Sequence, residues 1–296
     1  MSQNQWVSPA ELTEIAEQQL TYKALKDPKT TFLLAITAGL FIGLGFVFYI
    51  TVTTGAGDMA WGVSKLIGGL CFSLGLMLLV TCGGELFTST VLTTVAWASR
   101  KASGATVLKT WVVVYFGNLV GSLLLVAIVF AAGQQTADHG AWGVNAMNIA
   151  QHKLHHTFVE AVALGILCNL MVCLAVWMSY GCKNNFEKAL IVMMPVAMFV
   201  AGGFEHCVAN MFMIPLGMSI AHFSPAEFWD MANVGQSAYQ DLTISNFLLK
   251  NLLPVTIGNI IGGGLMVGLT YWKIYRQPHM NQAQIEVTKT TSEQNA

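Results

Sequence analysis

The sequence predicts an all-α membrane protein of six transmembrane helices, built as two inverted three-helix repeats whose second and fifth helices are broken. Three observations carry that reading. Of 296 residues, 54% are hydrophobic and 10% charged, against about a quarter charged in soluble domains, and several apolar runs reach the roughly 20 residues that cross a bilayer. Two of these runs are interrupted by glycines and a carboxylate, at Gly83-Gly84-Glu85 and Gly202-Gly203-Phe204-Glu205. Short motifs of the first half also return, in the same order, in the second.

Residues 1–30 form a polar N-terminal segment without a signal-peptide pattern. Ser8-Pro9-Ala10-Glu11 reads as a capping box with proline at the first helical position. The helix it opens, Pro9 to Lys26, places Leu12, Ile15, Ala16 and Tyr22 near one face. That pattern predicts an amphipathic helix resting on the membrane surface, with a lid over a pore mouth as the sharper alternative.

Residues 31–275 hold the spans. The first, Phe32 to Val52, carries Gly39 and Gly43 at a spacing that permits close helix packing. The run from Leu66 to Trp97 is too long for one straight crossing at about 1.5 Å per residue, and Cys82-Gly83-Gly84-Glu85 falls near its middle. Thr88 and Ser89 are candidates to cap the half-helix that restarts there. A third span, Thr110 to Ala132, leads into a polar loop with His139, His152, Lys153, His155 and His156. The fourth runs from Thr157 to Tyr180. The fifth, Ala189 to Ala221, breaks at Gly202-Gly203, and the sixth covers Asn251 to Trp272. Residues 276–296 are polar, without apolar periodicity, and read as a disordered tail.

Six crossings put both termini on one side. Eleven lysines and arginines fall on that side, and only Lys65, Lys153 and Lys250 on the other. The asymmetry predicts cytoplasmic termini. The repeat rests on three matches. Thr31-Phe32-x-x-Ala35-x-x-x-Gly39 parallels Thr157-Phe158-x-x-Ala161-x-x-x-Gly165, the two glycine–glutamate breaks correspond, and Gly117-Asn118-Leu119-Val120-Gly121 parallels Gly258-Asn259-Ile260-Ile261-Gly262. An odd number of spans per half forces opposite orientations, and paired broken segments point to a permeation site.

His206 is the histidine placed deep in a span, and an ionisable residue at that depth marks a path more often than a packing site. Neutral imidazole donates one hydrogen bond and accepts another. Glu85 and Glu205 are expected to accept backbone N–H groups freed where each helix unwinds at Gly83, Gly84, Gly202 and Gly203. Asn118, Asn169 and Asn259 bridge helices or line the path. Lys153 either concentrates anions in a vestibule or sits at headgroup level. His152, His155 and His156 lack a carboxylate or thiolate at ligand spacing, so no metal site is read, and no cofactor motif is present. The six cysteines form no C-x-x-C pair and read as packing residues. A net charge of −1 argues against nucleic acid as a partner. Phe72, Leu76, Leu86, Phe87 and Phe199 flank the breaks, and composition alone does not make them gates.

With these motifs in place, the sequence resembles the formate–nitrite transporter family, most closely its bacterial formate channels, from Tyr22 to Tyr275. The matching stretches include Lys65-Leu66-Ile67-Gly68-Gly69, Cys71-Phe72-Ser73-Leu74-Gly75-Leu76, Leu86-Phe87-Thr88-Ser89-Thr90, His155-His156-Thr157-Phe158, Ala201-Gly202-Gly203-Phe204-Glu205-His206, Ala209-Asn210-Met211-Phe212-Met213-Ile214-Pro215 and Pro254-Val255-Thr256-Ile257-Gly258-Asn259. Glu85 departs from the aspartate of such channels but keeps the charge. The resemblance implies an aquaporin-like fold, a homopentamer in the bacterial inner membrane with one pore per protomer, and passage of formate or formic acid and related small anions. It implies that Phe72, Leu76, Leu86, Phe87 and Phe199 narrow the pore and that His206 faces the gap between them. Thr88 and Asn259 would be its polar neighbours, Lys153 an outer anion attractor, and the N-terminal helix a gate. Water, glycerol and ammonium channels fit less well, since Ala209-Asn210-Met211 lacks the proline of an Asn-Pro-Ala box and one pore histidine is available. A nitrite or hydrosulfide channel is the nearer rival. An embedded enzyme using Glu205 and His206 lacks any accompanying nucleophile or cofactor motif.

Overall fold

The computed structural model describes residues 7–278 and 280, and in these the chain is helical throughout, with no strand. Most of the predicted disordered tail lies outside the described residues. Five helices are long and apolar enough to cross a membrane: Pro28–Thr53, Trp61–Cys82, Gly104–Ala131, Phe158–Ser179 and Gln236–Arg276. A sixth crossing appears if the bent pair Cys207–Phe223 and Ala226–Ala232, hinged at 108°, is counted as one.

Each start follows from local chemistry. Helix α1 (Pro9–Leu25) opens on the expected capping box: the Glu11 amide donates to Ser8 Oγ and the Ser8 amide to Glu11 Oε2. Helix α2 (Pro28–Thr53) begins at Asp27, whose carboxylate accepts the Thr30 amide, with proline at its first position. Helices α3 (Trp61–Phe72) and α4 (Leu74–Cys82) together form one span. After the first break come α5 (Phe87–Thr90), a 3₁₀ turn and α6 (Thr94–Ala98). Helix α7 (Gly104–Ala131) packs along α2. There, Gly117 and Gly121 are required, because a Cβ at Gly117 would collide with the Ala35 side chain and crowd the Phe32 carbonyl, and one at Gly121 would collide with the Ile36 backbone of α2.

The loop expected after α7 instead contains α8 (Ala141–His152), with Trp142, Ala146, Met147 and Ala150 buried. Its polar residues dilute its hydropathy, but those four recur at helical spacing. Helix α9 (Phe158–Ser179) repeats the capping box with Thr157 and Glu160. Helices α10 (Asn185–Ala201) and α11 (Cys207–Phe223) are the halves of the fifth expected span, and α12 (Ala226–Ala232) turns away from it. The closing run to Arg276 winds partly as π-helix, at Phe247–Leu252 and again at Ile261–Leu269. Proline at 254 lacks the N–H donor that an α-helical turn would use.

The face expected for α1 is corrected. Its buried stripe is Thr13, Ala16, Glu17, Leu20 and Ala24, while Tyr22 is exposed. The reason is electrostatic. Glu17 Oε2 accepts from Lys101 Nζ at 3.0 Å and Arg276 Nε at 2.7 Å, so this helix docks on protein by a buried carboxylate rather than lying on lipid by an apolar stripe. Glu17 also brings both described ends of the chain to one face, here called the near face.

The repeat is also re-registered. Gly117 and Gly121 of α7 press on Phe32 and Ile36, and Gly258 and Gly262 press on Val162 and Ile166. These contacts pair α2 with α9 one helical turn away from the match between Thr31 and Thr157.

Candidate functional site at two helix breaks

The first break runs from Gly83 to Leu86 and the second from Gly202 to His206. At each, the residue two before the glutamate holds a left-handed backbone: φ is +88° at Gly83 and +72° at Gly203. A Cβ there would meet nothing within 4 Å, so backbone conformation alone requires glycine. The neighbouring glycines, Gly84 and Gly202, carry no such requirement.

The freed backbone groups are satisfied by asparagine, not by the glutamates expected to do it. Asn118 Oδ1 accepts the Phe87 amide at 2.8 Å, and its Nδ2 donates to the carbonyls of Ala35 and Glu85, each at 2.8 Å. Asn259 repeats this: Oδ1 accepts the Cys207 amide at 2.9 Å, and Nδ2 donates to Gly165 at 2.8 Å and Glu205 at 3.0 Å. Both are fully buried. Thr88 and Ser89 do not cap the restarting half-helix, because they lie inside its first turn, behind Leu86.

The carboxylates are left free to hold cations. Glu85 stands 3.0 Å from Lys23 Nζ and 2.6 Å from Lys26 Nζ, both on the α1 side of the near mouth. Glu205 accepts Lys153 Nζ at 2.8 Å, Asn210 Nδ2 at 2.6 Å and Asn251 Nδ2 at 3.1 Å. Lys153 is therefore a paired vestibule cation, also seated 5.8 Å from the Phe46 ring centre, and not an isolated headgroup lysine.

Between the breaks a buried polar pair joins the two broken helices. His206 Nε2 is 3.0 Å from Thr88 Oγ1, and His206 Nδ1 accepts the Ala209 amide at 3.0 Å. An acceptor at Nδ1 places the neutral ring's proton on Nε2, which then donates to Thr88. The threonine hydroxyl proton is left without another acceptor among the described residues. Behind Thr88, Asn169 Nδ2 and Cys173 Sγ both donate to its carbonyl, at 3.0 and 3.1 Å. The sequence singled out Asn169, but it read Cys173 as a packing residue and gave Lys23, Lys26 and Asn251 no part in the site. Lys23 and Lys26, three residues apart on one helix face, were the legible signal.

Two cavities approach the pair. The far one, about 620 Å³, is lined by Lys65, Lys153, Phe72, Phe199 and Glu205 and ends at His206. The near one, about 340 Å³, is lined by Lys23, Lys26, Leu79, Gly83, Gly84 and Glu85. Leu76, Leu86, Phe87 and Thr88 line neither, and all four are buried. Phe72 and Phe199 meet edge to face at 6.0 Å, and Phe199 stacks on the His206 ring at 6.0 Å. The Phe87 ring packs edge-on against Tyr115 of α7, at 4.9 Å.

Comparison with known proteins decides the family. The family model described as formate/nitrite transporter matches residues 10–273. The chain belongs to the formate/nitrite transporter family. It is 57% identical over 267 residues to the formate channel FocA of Escherichia coli K12, covering 90% of this chain and 94% of that one. It is 50% identical over 263 residues to FocA of Haemophilus influenzae, covering 89% and 93%. A solved structure described as a pentameric formate channel with formate bound aligns with a TM-score of 0.81 at 55% identity, over 84% of this chain and 97% of that one. A second solved structure, an FNT family ion channel, aligns at 0.72 with 26% identity. These relatives are transporters, and this chain is a membrane transport protein rather than an enzyme.

Proposed function

We propose that this protein is a formate channel of a bacterial inner membrane, assembled as a homopentamer in the lipid bilayer, in which the Thr88–His206 pair conducts a small carboxylate between two apolar constrictions. The observation that carries the reading is that pair: two hydrogen-bonding side chains, one from each broken helix, buried between cavities that carry lysines. Both breaks fit two three-helix halves of opposite orientation, with the second and fifth helices interrupted. The near face, with both termini, is then cytoplasmic, as the lysine and arginine count favours.

A bare carboxylate entering an apolar constriction loses its hydration, at a cost of several kcal/mol. Cationic mouths and a central donor pair lower that cost where it peaks. Lys23 and Lys26 serve the near mouth and Lys153 the far one. Phe72, Leu76 and Phe199 narrow the path on one side of His206, and Leu86 and Phe87 on the other. At the centre, the Thr88 hydroxyl donates to a carboxylate oxygen while His206 Nε2–H holds the threonine in position. Asn259 supports the pair through the backbone, and α1 is placed to gate the near mouth.

The test is flux of labelled formate into liposomes holding the purified protein, with acetate, nitrite and hydrosulfide as competitors. Formate uptake without chemical conversion supports the reading. No uptake by assembled protein, or equal preference for nitrite, would remove formate as the main substrate.

A further inference from the structure

The far vestibule holds basic groups that the Thr88–His206 pair does not use. His152 closes α8 and His156 lies shortly beyond it, their rings edge to face with centres 5.4 Å apart. Both line the cavity that leads to His206. His156 Nε2 is buried without a hydrogen-bond partner among the described residues, yet it stands only 3.9 Å from Glu205 Oε1. That same oxygen accepts Lys153 Nζ at 2.8 Å. A ring nitrogen just beyond bonding distance of a carboxylate gains a charge-assisted bond when it takes up a proton.

We propose that His152 and His156 form a proton-operated anion site in the far vestibule: one proton on the pair engages Glu205, loosens Lys153 from it, and strengthens the vestibule's hold on small carboxylates. This rests on the formate reading above. The charged and titratable groups facing the pair are Lys65 on α3, Tyr49 on α2, Lys153 before α9, Glu205 and His206 at the break, and the exposed Glu160 on α9. Lys65 leans over the Trp61 ring at 6.0 Å and has no carboxylate partner among the described residues. With both rings neutral, Lys65 and Lys153 against Glu205 leave the cavity one positive charge. A proton on the pair adds another, and at 5.4 Å a second proton is opposed by the first. One added charge within several ångströms of a partly screened anion raises its affinity roughly three- to tenfold.

The experiment measures the KM for formate uptake by the full-length protein in liposomes. Interior pH is fixed while exterior pH is stepped across histidine's range, from about 8 to about 5.5. Rates are expressed per formate ion, so that the changing fraction of formic acid is removed. Wild type should show KM falling roughly three- to tenfold with acid, at little change in maximal rate. His156→Gln keeps hydrogen-bonding capacity but takes up no proton, and should hold the high-pH KM throughout. His156→Lys, always charged, should hold the low-pH KM throughout. The proposal is overturned if His156→Gln keeps the wild-type pH response or if His156→Lys still follows pH. Should His156→Gln fail to assemble, His152→Gln reads the same step: a smaller pH response supports the site, and an unchanged one overturns it. Absence of any formate flux in wild type would instead sink the formate reading itself.

Discussion

The two helix breaks share a scaffold and differ in chemistry. Each has one left-handed glycine, one glutamate paired to lysine, and one asparagine that caps the restarting half-helix while holding two carbonyls. Within that common frame, the residue just before the capped amide is Leu86 at the first break and His206 at the second. Leu86 brings no side-chain cap, whereas His206 caps α11 through Nδ1 and faces Thr88 through Nε2. The residue just after the capped amide is Thr88 in one half and Val208 in the other. The two breaks share the geometry of an interrupted helix, and one polar residue on each side of the junction distinguishes their chemistry. The difference extends to the support. Where Gly39 packs against the Asn118 carbonyl, its counterpart Asn169 donates to the carbonyls of both Asn259 and Thr88.

If the scaffold is shared, removing either asparagine should be the most damaging single change. Asn118→Ala and Asn259→Ala each orphan one amide and two carbonyls, at about 3–5 kcal/mol. Both should lose native size or melt far below wild type in detergent. A normal melting curve for either variant would break the equivalence. Making the second break resemble the first, His206→Leu, removes one cap worth about 1 kcal/mol. It should retain native size while formate flux falls at least tenfold. Making the first resemble the second, Thr88→Val, should lower flux roughly tenfold, as expected for one lost bond to a charged ligand, and Thr88→Ser should restore most of it.

The smallest expected effect concerns α1, which reaches only the first break. Burial pushes the Glu17 carboxyl upward, but the polar contacts of Ser99, Lys101 and Arg276 more than offset this and hold it below the usual carboxylate range. A lowered folded-state value means that this docking contact is complete above the ordinary glutamate range and is lost as pH falls through the lowered one. Hydrogen exchange of Pro9–Leu25, corrected for intrinsic rates, should therefore be flat from neutral to mildly acidic pH and rise only in stronger acid. Glu17→Gln should raise it at neutral pH by the equivalent of about 1–2 kcal/mol. Undocking of wild-type α1 already in mild acid would show that Glu17 does not set the contact.

Spans and breaks were legible because their signals are local: apolar run length, glycine pairs and ionisable residues out of place. The family was legible from short local stretches, and the placement of His206 at the second break from the glycines beside it. What escaped was relational. The partner of each glutamate is a lysine distant in sequence, and the cap of each half-helix comes from a different span, so no spacing rule near Gly83 or Gly203 reveals Asn118 or Asn259 as its source. Helix α8 escaped because Asn145, Asn148, Gln151 and His152 masked a short apolar stripe. The face of α1 was misjudged because a buried carboxylate, Glu17, reads in sequence as a solvent-facing residue until Lys101 and Arg276 are seen beside it.

The central claim is that formate crosses by way of the hydrogen-bonding pair between the breaks. It is tested most directly by formate flux across a pH series through His206→Phe protein of native size, beside His206→Asn, which can still cap α11 but cannot exchange a proton. The account predicts no measurable flux for phenylalanine at any pH, and a reduced flux with an altered pH dependence for asparagine. Wild-type rate and pH response through assembled His206→Phe would contradict it.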